Sequence, residues 1–353
     1  MKFPVMTDKE RIERLTPKGG RVKMVLDTDT YNEVDDQFAL SYALMSPDRL
    51  EVQAVYAAPF SGTFFAKYLA QKGENVTAPP EDDLEEGMEL SYQEILKIFR
   101  LLDMDPEGKA FRGSKAYMTQ RGVPVDSEAA RDLVKKANAA DDVLYVVAIG
   151  EITNVASAIL MDPEIIKKIV VVWLGGHPTY WPNCMEFNMA QDVIASQTIL
   201  DCGVPLVIVP CMTVASHLTT TEAELTAYLK GKSRVGTYLS DLVISQLSQE
   251  AAENMFSLFR QTSLEGFDDY DAPAASGGSS GSMAPSRIIW DISTIGYMIN
   301  PLWCPSTLVP APVLTDDITW AKGENRHLIR ICHFVYRDGI FGDMFDKLSK
   351  APK

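Results

Sequence analysis

Between positions 25 and 40 the chain reads VLDTDTYNEVDDQFAL, which crowds Asp27, Asp29, Glu33, Asp35 and Asp36 into ten positions just after Val25 and Leu26. Acids this close raise one another's pKa and resist ionisation unless a positive charge sits among them. Three chemistries fit such a stretch: a divalent cation held by carboxylate oxygens, an aspartyl nucleophile for phosphoryl transfer, or a solvated loop capping the next helix. A helix N-terminus stabilises each acid by only about 0.3–1 kcal/mol, too little to keep four of them ionised in a cleft. A hard cation with oxygen ligands is therefore the stronger reading.

Three further stretches carry polar groups at the ends of apolar runs. AIGEITNVASAIL, residues 148–160, turns at Gly150 and starts a helical pattern at Thr153-Asn154, which on its own is plain N-capping. LGGHPTYWPNCMEFN, residues 174–188, has a Gly pair, an irregular loop and then Glu186-Phe187-Asn188. An acid and an amide around an aromatic can bind sugar hydroxyls or cap the helix that begins near Asp192; taken alone, the cap is favoured. In RIIWDISTIGYMIN, residues 287–300, Trp290-Asp291 precede an apolar helical pattern, with Asp as cap and Trp as core the plain alternative.

These groups must be positioned by the elements around them. Continuous Val/Ile/Leu runs at 22–27, 50–58, 142–150, 168–176 and 204–210 have the look of strands buried on both faces. Helical patterns lie between them: DQFALSYALMS, SYQEILKIFRLL, EAARDLVKKANA, NVASAILMDPEI and VIASQTILD. The alternation predicts an α/β fold, a mostly parallel, open, Rossmann-like central sheet flanked by helices, with ligands bound at the carboxyl ends of the strands. A single domain over 1–353 is expected, with mobile surface insertions at the Pro-rich acidic 77–90 and the Gly/Ser-rich 266–286.

Composition narrows the partners. The 353 residues, 46% of them hydrophobic, can bury a large core. A net charge of -15 argues against nucleic acid and anionic membranes, which demand a basic footprint. No apolar run reaches the roughly 18 residues of a membrane span, and the charged opening MKFPVMTDKERIERL lacks a signal-like apolar centre, so a cytoplasmic protein is expected. The five cysteines show no CxxC pairing and predict neither a disulfide framework nor a zinc site. The expected partner is a small molecule.

The acidic opening, the T-N turn, the E-F-N triplet and the late Asp, in this order, resemble the inosine-uridine-type nucleoside hydrolase family. The similarity runs over about residues 20–345, outside the two insertions. It implies hydrolysis of the N-glycosidic bond of nucleosides with a bound calcium ion. By the resemblance, Asp29, Asp36, Asp291 and the Thr153 backbone carbonyl ligate the ion, and Asp29 is the base for the attacking water. Asp35 and Asn188 hold the ribose hydroxyls and Glu186 the 5′-hydroxyl. Family members are usually dimers or tetramers.

The chain departs from the family pattern in three places. Five residues rather than three separate Asp29 from the Asp35-Asp36 pair, which brings Asn32 or Glu33 toward the pocket. Trp290 stands where pyrimidine-accepting members carry a leaving-group His, which resembles the purine-specific branch, where a Trp stacks on the base. No His occurs between residues 62 and 176, and Pro59-Phe60-Ser61 replace an Asn at the end of the second strand. Of the four His, His177 is the best substitute acid, His217 is read near the rim, and His327 and His333 as packing residues. Two alternatives remain: a haloacid-dehalogenase-type Asp-nucleophile phosphatase, which gives the E-F-N triplet and Trp290-Asp291 no role, and a catalytically weak nucleoside-binding protein of the same fold.

Overall fold

The computed structural model describes residues 2–71, 83–247 and 286–353. Its main sheet is built from β1 (Val22–Thr28), β2 (Leu50–Ala57), β3 (Ala110–Arg112), β4 (Leu144–Ala148), β5 (Ile169–Leu174) and β6 (Leu206–Val209). Two short strands, β7 (Thr219–Thr221) and β8 (Ser286–Ile288), pair with each other, as do β10 (Val313–Leu314) and β11 (Trp320–Ala321). The antiparallel β9 (Ser306–Pro310) joins β12 (Leu328–Cys332) at the sheet edge, giving the order β3-β2-β1-β4-β5-β6-β12-β9.

The continuous apolar runs become strands covered on both faces, because alternate side chains enter different cores. Met24 and Leu26 of β1, Val147 of β4 and Val172 of β5 pack with Phe38 and Phe99 on one side. Val25, Val146, Val171 and Trp173 pack with Leu133, Ile159 and Ile199 on the other. Each such large side chain contributes about 1.5–3 kcal/mol on burial, so a polar run could not take these positions. The helices that cover these faces include α1 (Asp8–Leu15), α2 (Asp35–Leu44), α4 (Leu84–Leu101), α5 (Glu128–Ala139) and α6 (Thr153–Met161), while α3 (Phe64–Gln71) follows β2 outside both cores.

Strand order reverses direction between β1 and β4, and that switch point is where an open α/β sheet leaves a crevice. The paired ends of β1 and β4, Asp27 opposite Ala148, put Asp29 and Gly150 side by side. A Cβ on Gly150 would lie 2.6 Å from Asp29 Oδ1, so only glycine admits the carboxylate there.

Two expectations change. The acidic stretch 77–90 is helical from Leu84, because Asp83 caps α4 by accepting from the Glu85 and Glu86 amides and Met88 is buried in the core. Its residues 77–82 lie outside the described residues, as does 266–285; Ser286 opens β8. His333 is exposed rather than packed, its backbone amide bonded to Pro305 O past the end of β12. Among the described residues no helix is long and apolar enough to cross a membrane.

Candidate active site

A cleft lies at the carboxyl ends of β1, β4, β5 and β6, where an open α/β sheet binds its ligands. Asp29, Asn32, Glu33, Asp35, Asp36, His177, Glu186, Asn188, Trp290 and Asp291 all line it. Residues that stand up to 262 positions apart in sequence, Asp29 and Asp291, thus share one cavity.

Carboxylate oxygens of Asp35, Asp36 and Asp291 lie within 4.8 Å of one another, and all three residues are buried. Asp35 and Asp36 open α2, where the Val34 N-cap provides no side-chain hydrogen bond. Asp36 Oδ1 accepts from Thr28 Oγ1 at 2.5 Å, and Thr28 in turn meets Thr30 Oγ1 at 2.8 Å. Ionised carboxylates this close repel one another unless a proton or a cation sits among them.

Asp29 lines the same cleft outside that set of three, and Asp35, read from sequence as a ribose holder, stands inside it. Buried Asp29 Oδ2 has no hydrogen-bond partner. Burial raises the Asp29 pKa well above the ordinary value, and Asp36 adds to the rise. Burial also pushes Asp36 up to about 7, against the Thr28 hydrogen bond. Asp35 rises through burial and Glu33, and Asp291 through burial and Asp35. An orphaned carboxylate oxygen beside three clustered, desolvated acids is a hard-oxygen donor set, and it fits a hard divalent cation.

Behind this layer the ends of the strands are pinned by amides. Asn154 Nδ2 donates to Asp27 Oδ1 at 2.9 Å, while Asn154 Oδ1 accepts from the Ser114 amide at 2.8 Å. Asn188 Nδ2 donates to Ile149 O and to Leu174 O, both at 2.9 Å, tying the ends of β4 and β5 together. Both amide protons are thereby committed, and Oδ1 is left to face a ligand. Asn188→Ala should cost about 2–4 kcal/mol of folding stability, since two buried carbonyls lose their donor. A lowered urea midpoint checks this; an unchanged one contradicts the cross-link.

Glu186 is a cap as well as a lining residue. It accepts from Gly176 N at 2.7 Å and from Asn188 N and Met189 N at 3.0 Å each, and burial still pushes its pKa up to about 7. Gly176, at φ +70, supplies the left-handed turn that aims its amide at that carboxylate. Thr153 is placed differently from its neighbours. It does not line the cleft; its hydroxyl bridges Glu151 Oε2 and Asp192 Oδ2, and its amide donates to Glu151 Oε2 at 2.8 Å.

His177 is buried, and burial lowers its pKa to about 4 despite a hydrogen bond to the Met185 backbone. It is neutral at pH 7 and its Nδ1 has no partner, so it is suited to accept a hydrogen bond rather than to serve as a ready acid. His217 and His327 do not line the cleft. The reading from sequence passed over Cys211, Met185, Ile149 and Leu174, which complete the walls. Cys211 stands just beyond the end of β6, so the rule that locates Asp29 just beyond β1 could have found it.

A doubly wound sheet with carboxylates and amides gathered at its switch point makes this an open α/β protein with an acid-lined ligand cleft. The chain belongs to the inosine-uridine preferring nucleoside hydrolase family, whose model matches residues 85–327. The matched stretch begins after the acidic opening and includes Thr153, Glu186, Asn188, Trp290 and Asp291. A probable uridine nucleosidase 2 of Arabidopsis thaliana is 25% identical over 232 residues, covering 64% of this chain and 70% of that protein.

Two solved structures share the fold. A purine-preferring ribonucleoside hydrolase from Gardnerella vaginalis superposes with a TM-score of 0.61 at 19% identity, over 93% of this chain and 98% of that one. The plant nucleoside hydrolase PpNRh1 gives 0.60 at 18%, over 93% and 99%. The chain is therefore a hydrolase acting on the N-glycosidic bond of ribonucleosides. The phosphatase reading lapses. Family members are metal-dependent, and the Asp35, Asp36 and Asp291 cluster is the corresponding feature among the described residues.

Proposed function

We propose that this chain hydrolyses ribonucleosides to free base and ribose in a calcium-dependent reaction, with a preference for purines. The observation that carries this reading is the unpaired, buried Asp29 Oδ2 beside the clustered Asp35, Asp36 and Asp291. Asp29, Asp35, Asp36 and Asp291 would hold the ion; oxygen-only donors suit calcium. The ion supplies charge neutralisation and Lewis acidity to the sugar and the attacking water. Thr153, whose hydroxyl is committed to Glu151 and Asp192, would offer the ion its backbone carbonyl rather than its side chain.

Asp29 takes a proton from the attacking water at Oδ2. Asn188 Oδ1 accepts from a ribose hydroxyl, Asp35 from its neighbour, and Glu186 holds the 5′-hydroxyl with the lone pair its three backbone donors leave. Gripping the sugar at several points lets binding energy favour the flattened, oxocarbenium-like ring over the ground state. Trp290, 6% exposed beside Asp291, offers an indole face on which a purine stacks as it leaves. Asn32 and neutral His177 complete the contacts to sugar and base.

Incubation with a panel of purine and pyrimidine ribonucleosides should release base and reducing sugar in equal amounts. Tight nucleoside binding without release would instead favour a binding protein of the same fold. In Trp290→Ala, kcat/KM for purine nucleosides should fall by about tenfold or more, more than for uridine, as loss of a stacked aromatic predicts. Equal losses for both classes would remove the base-stacking role.

A further inference from the structure

His177, Met185 and Glu186 reach the cleft from one irregular loop, residues 175–186, between β5 and the helix at Phe187–Gln191. That loop is held from outside by the β10–β11 hairpin. Trp320 Nε1 of β11 donates to His177 O at 3.0 Å, and Cys184 N donates to Ile318 O, in the hairpin's turn, at 2.7 Å. The two bonds grip the loop near both ends, just after the Gly pair and two residues before Glu186. A Cβ on Gly176 would lie 3.2 Å from the Trp320 ring, so the indole rests directly against the turn whose amide reaches Glu186.

The hairpin is a fixed support. Leu314 is buried in the core, and Gln197 of the helix at Val193–Asp201 donates to Leu314 O at 3.1 Å and to Asp316 Oδ1 at 2.8 Å. The turn closes through Ile318 N to Thr315 O at 3.1 Å and Thr315 N to Thr319 O at 3.0 Å. Ile318 lies at φ +57, left-handed backbone that a β-branched residue adopts only under strain. Such strain persists where the surroundings over-determine it, and here the strained residue is the one whose carbonyl takes the Cys184 amide.

The Glu186 carboxylate has three backbone donors. Asn188 N and Met189 N belong to the helix that follows it, whereas Gly176 N rides on the turn beneath Trp320. If that turn loosens, the third donor moves and the carboxylate turns with it, which redirects the lone pair left for a ligand.

We propose that Trp320 is a positioning residue: its indole N–H on His177 O, with Ile318 O on Cys184 as a second point, fixes the loop that presents Glu186 to the nucleoside's 5′-hydroxyl. The inference rests on the reading of Glu186 as the 5′-hydroxyl contact. Trp320 does not line the cleft and acts through the loop alone.

The test measures base release from inosine and from 5′-deoxyinosine by the full chain in calcium, as wild type and as W320F, which keeps an aromatic ring but has no N–H. With inosine, W320F should raise KM roughly three- to tenfold, the range set by one lost hydrogen bond, and leave kcat within about twofold. With 5′-deoxyinosine, which lacks the hydroxyl that the loop serves, kcat/KM of the two proteins should agree within about twofold. Should W320F not fold, benzothienylalanine at position 320, with sulfur in place of the N–H at nearly constant shape, makes the same comparison.

Equal losses on both substrates would reduce Trp320 to a general brace of the fold and overturn the proposal, as would an inosine KM unchanged in the folded variant. The parent reading is judged on wild type alone. Wild type that releases no base, or that takes inosine and 5′-deoxyinosine equally well, overturns the Glu186 contact and the proposal with it.

Discussion

Asp29→Asn is expected to lose nucleoside turnover by about 10²–10⁴-fold, the range that a positioned proton-transfer group contributes. The substitution preserves shape: the amide is isosteric with the carboxyl that lies against Gly150, and the Asn32 amide bonds to the backbone carbonyl of residue 29 at 2.8 Å. What it removes is the oxygen without a partner. Because burial and Asp36 raise the Asp29 pKa, its charge destabilises the metal-free fold. Asp29→Asn should thus be as stable as wild type in chelator, or more so, while hydrolysing almost nothing. Initial rates of base release, with thermal unfolding measured on the same samples, separate a lost base from a lost fold. A variant that keeps more than about a tenth of the wild-type kcat contradicts the proton-transfer role.

Asp291→Asn should produce the second largest effect, by a different route. Asp291 shares the cluster with Asp35 and Asp36, and burial with their repulsion raises its pKa well above normal. At a calcium concentration one hundred times its dissociation constant, wild type should gain about 2.7 kcal/mol of stability by linkage. Asp291→Asn should lose that gain together with turnover. Retention of calcium-induced stabilisation in the variant would place the ion elsewhere.

Acidification offers a check without mutation. Asp36 and Glu186 are pushed up to about 7 in the fold, above the values of 3.8 and 4.5 they start from. Between those limits the folded, metal-free chain binds more protons than the unfolded one, so its stability rises as pH falls from about 7 toward about 4. Saturating calcium, which favours the ionised carboxylates, should flatten or reverse that slope.

The strands and the site were legible to different degrees for physical reasons. Apolar runs such as LYVVA and IVVVWL can be covered only on both faces of a parallel sheet, and they appear as β4 and β5. The strand-end rule then places Asp29, Glu186 and Asn188 at one edge. Local signals could not show that Asp35 joins Asp36 and Asp291 in one cluster, since that depends on how α2 is set against the helix at Ile292–Ile299. Nor could they show that Thr153 serves Glu151 and Asp192, 39 residues apart from it in the second case. The acidic residues 84–90 looked like surface loop because their charge outweighs their apolar content, yet Asp83 and the buried Met88 make them helix. The pairing of Glu33 with Arg287 has no local signature, as is usual for an ion pair spanning most of a chain.

The central claim is that the acid cluster is a cation and ribose site that cleaves nucleosides. It is tested most directly by following base release from inosine by the chelator-treated chain before and after calcium is returned. The account predicts a rate at background in chelator and recovery with stoichiometric calcium. An undiminished rate in the stripped protein would contradict it.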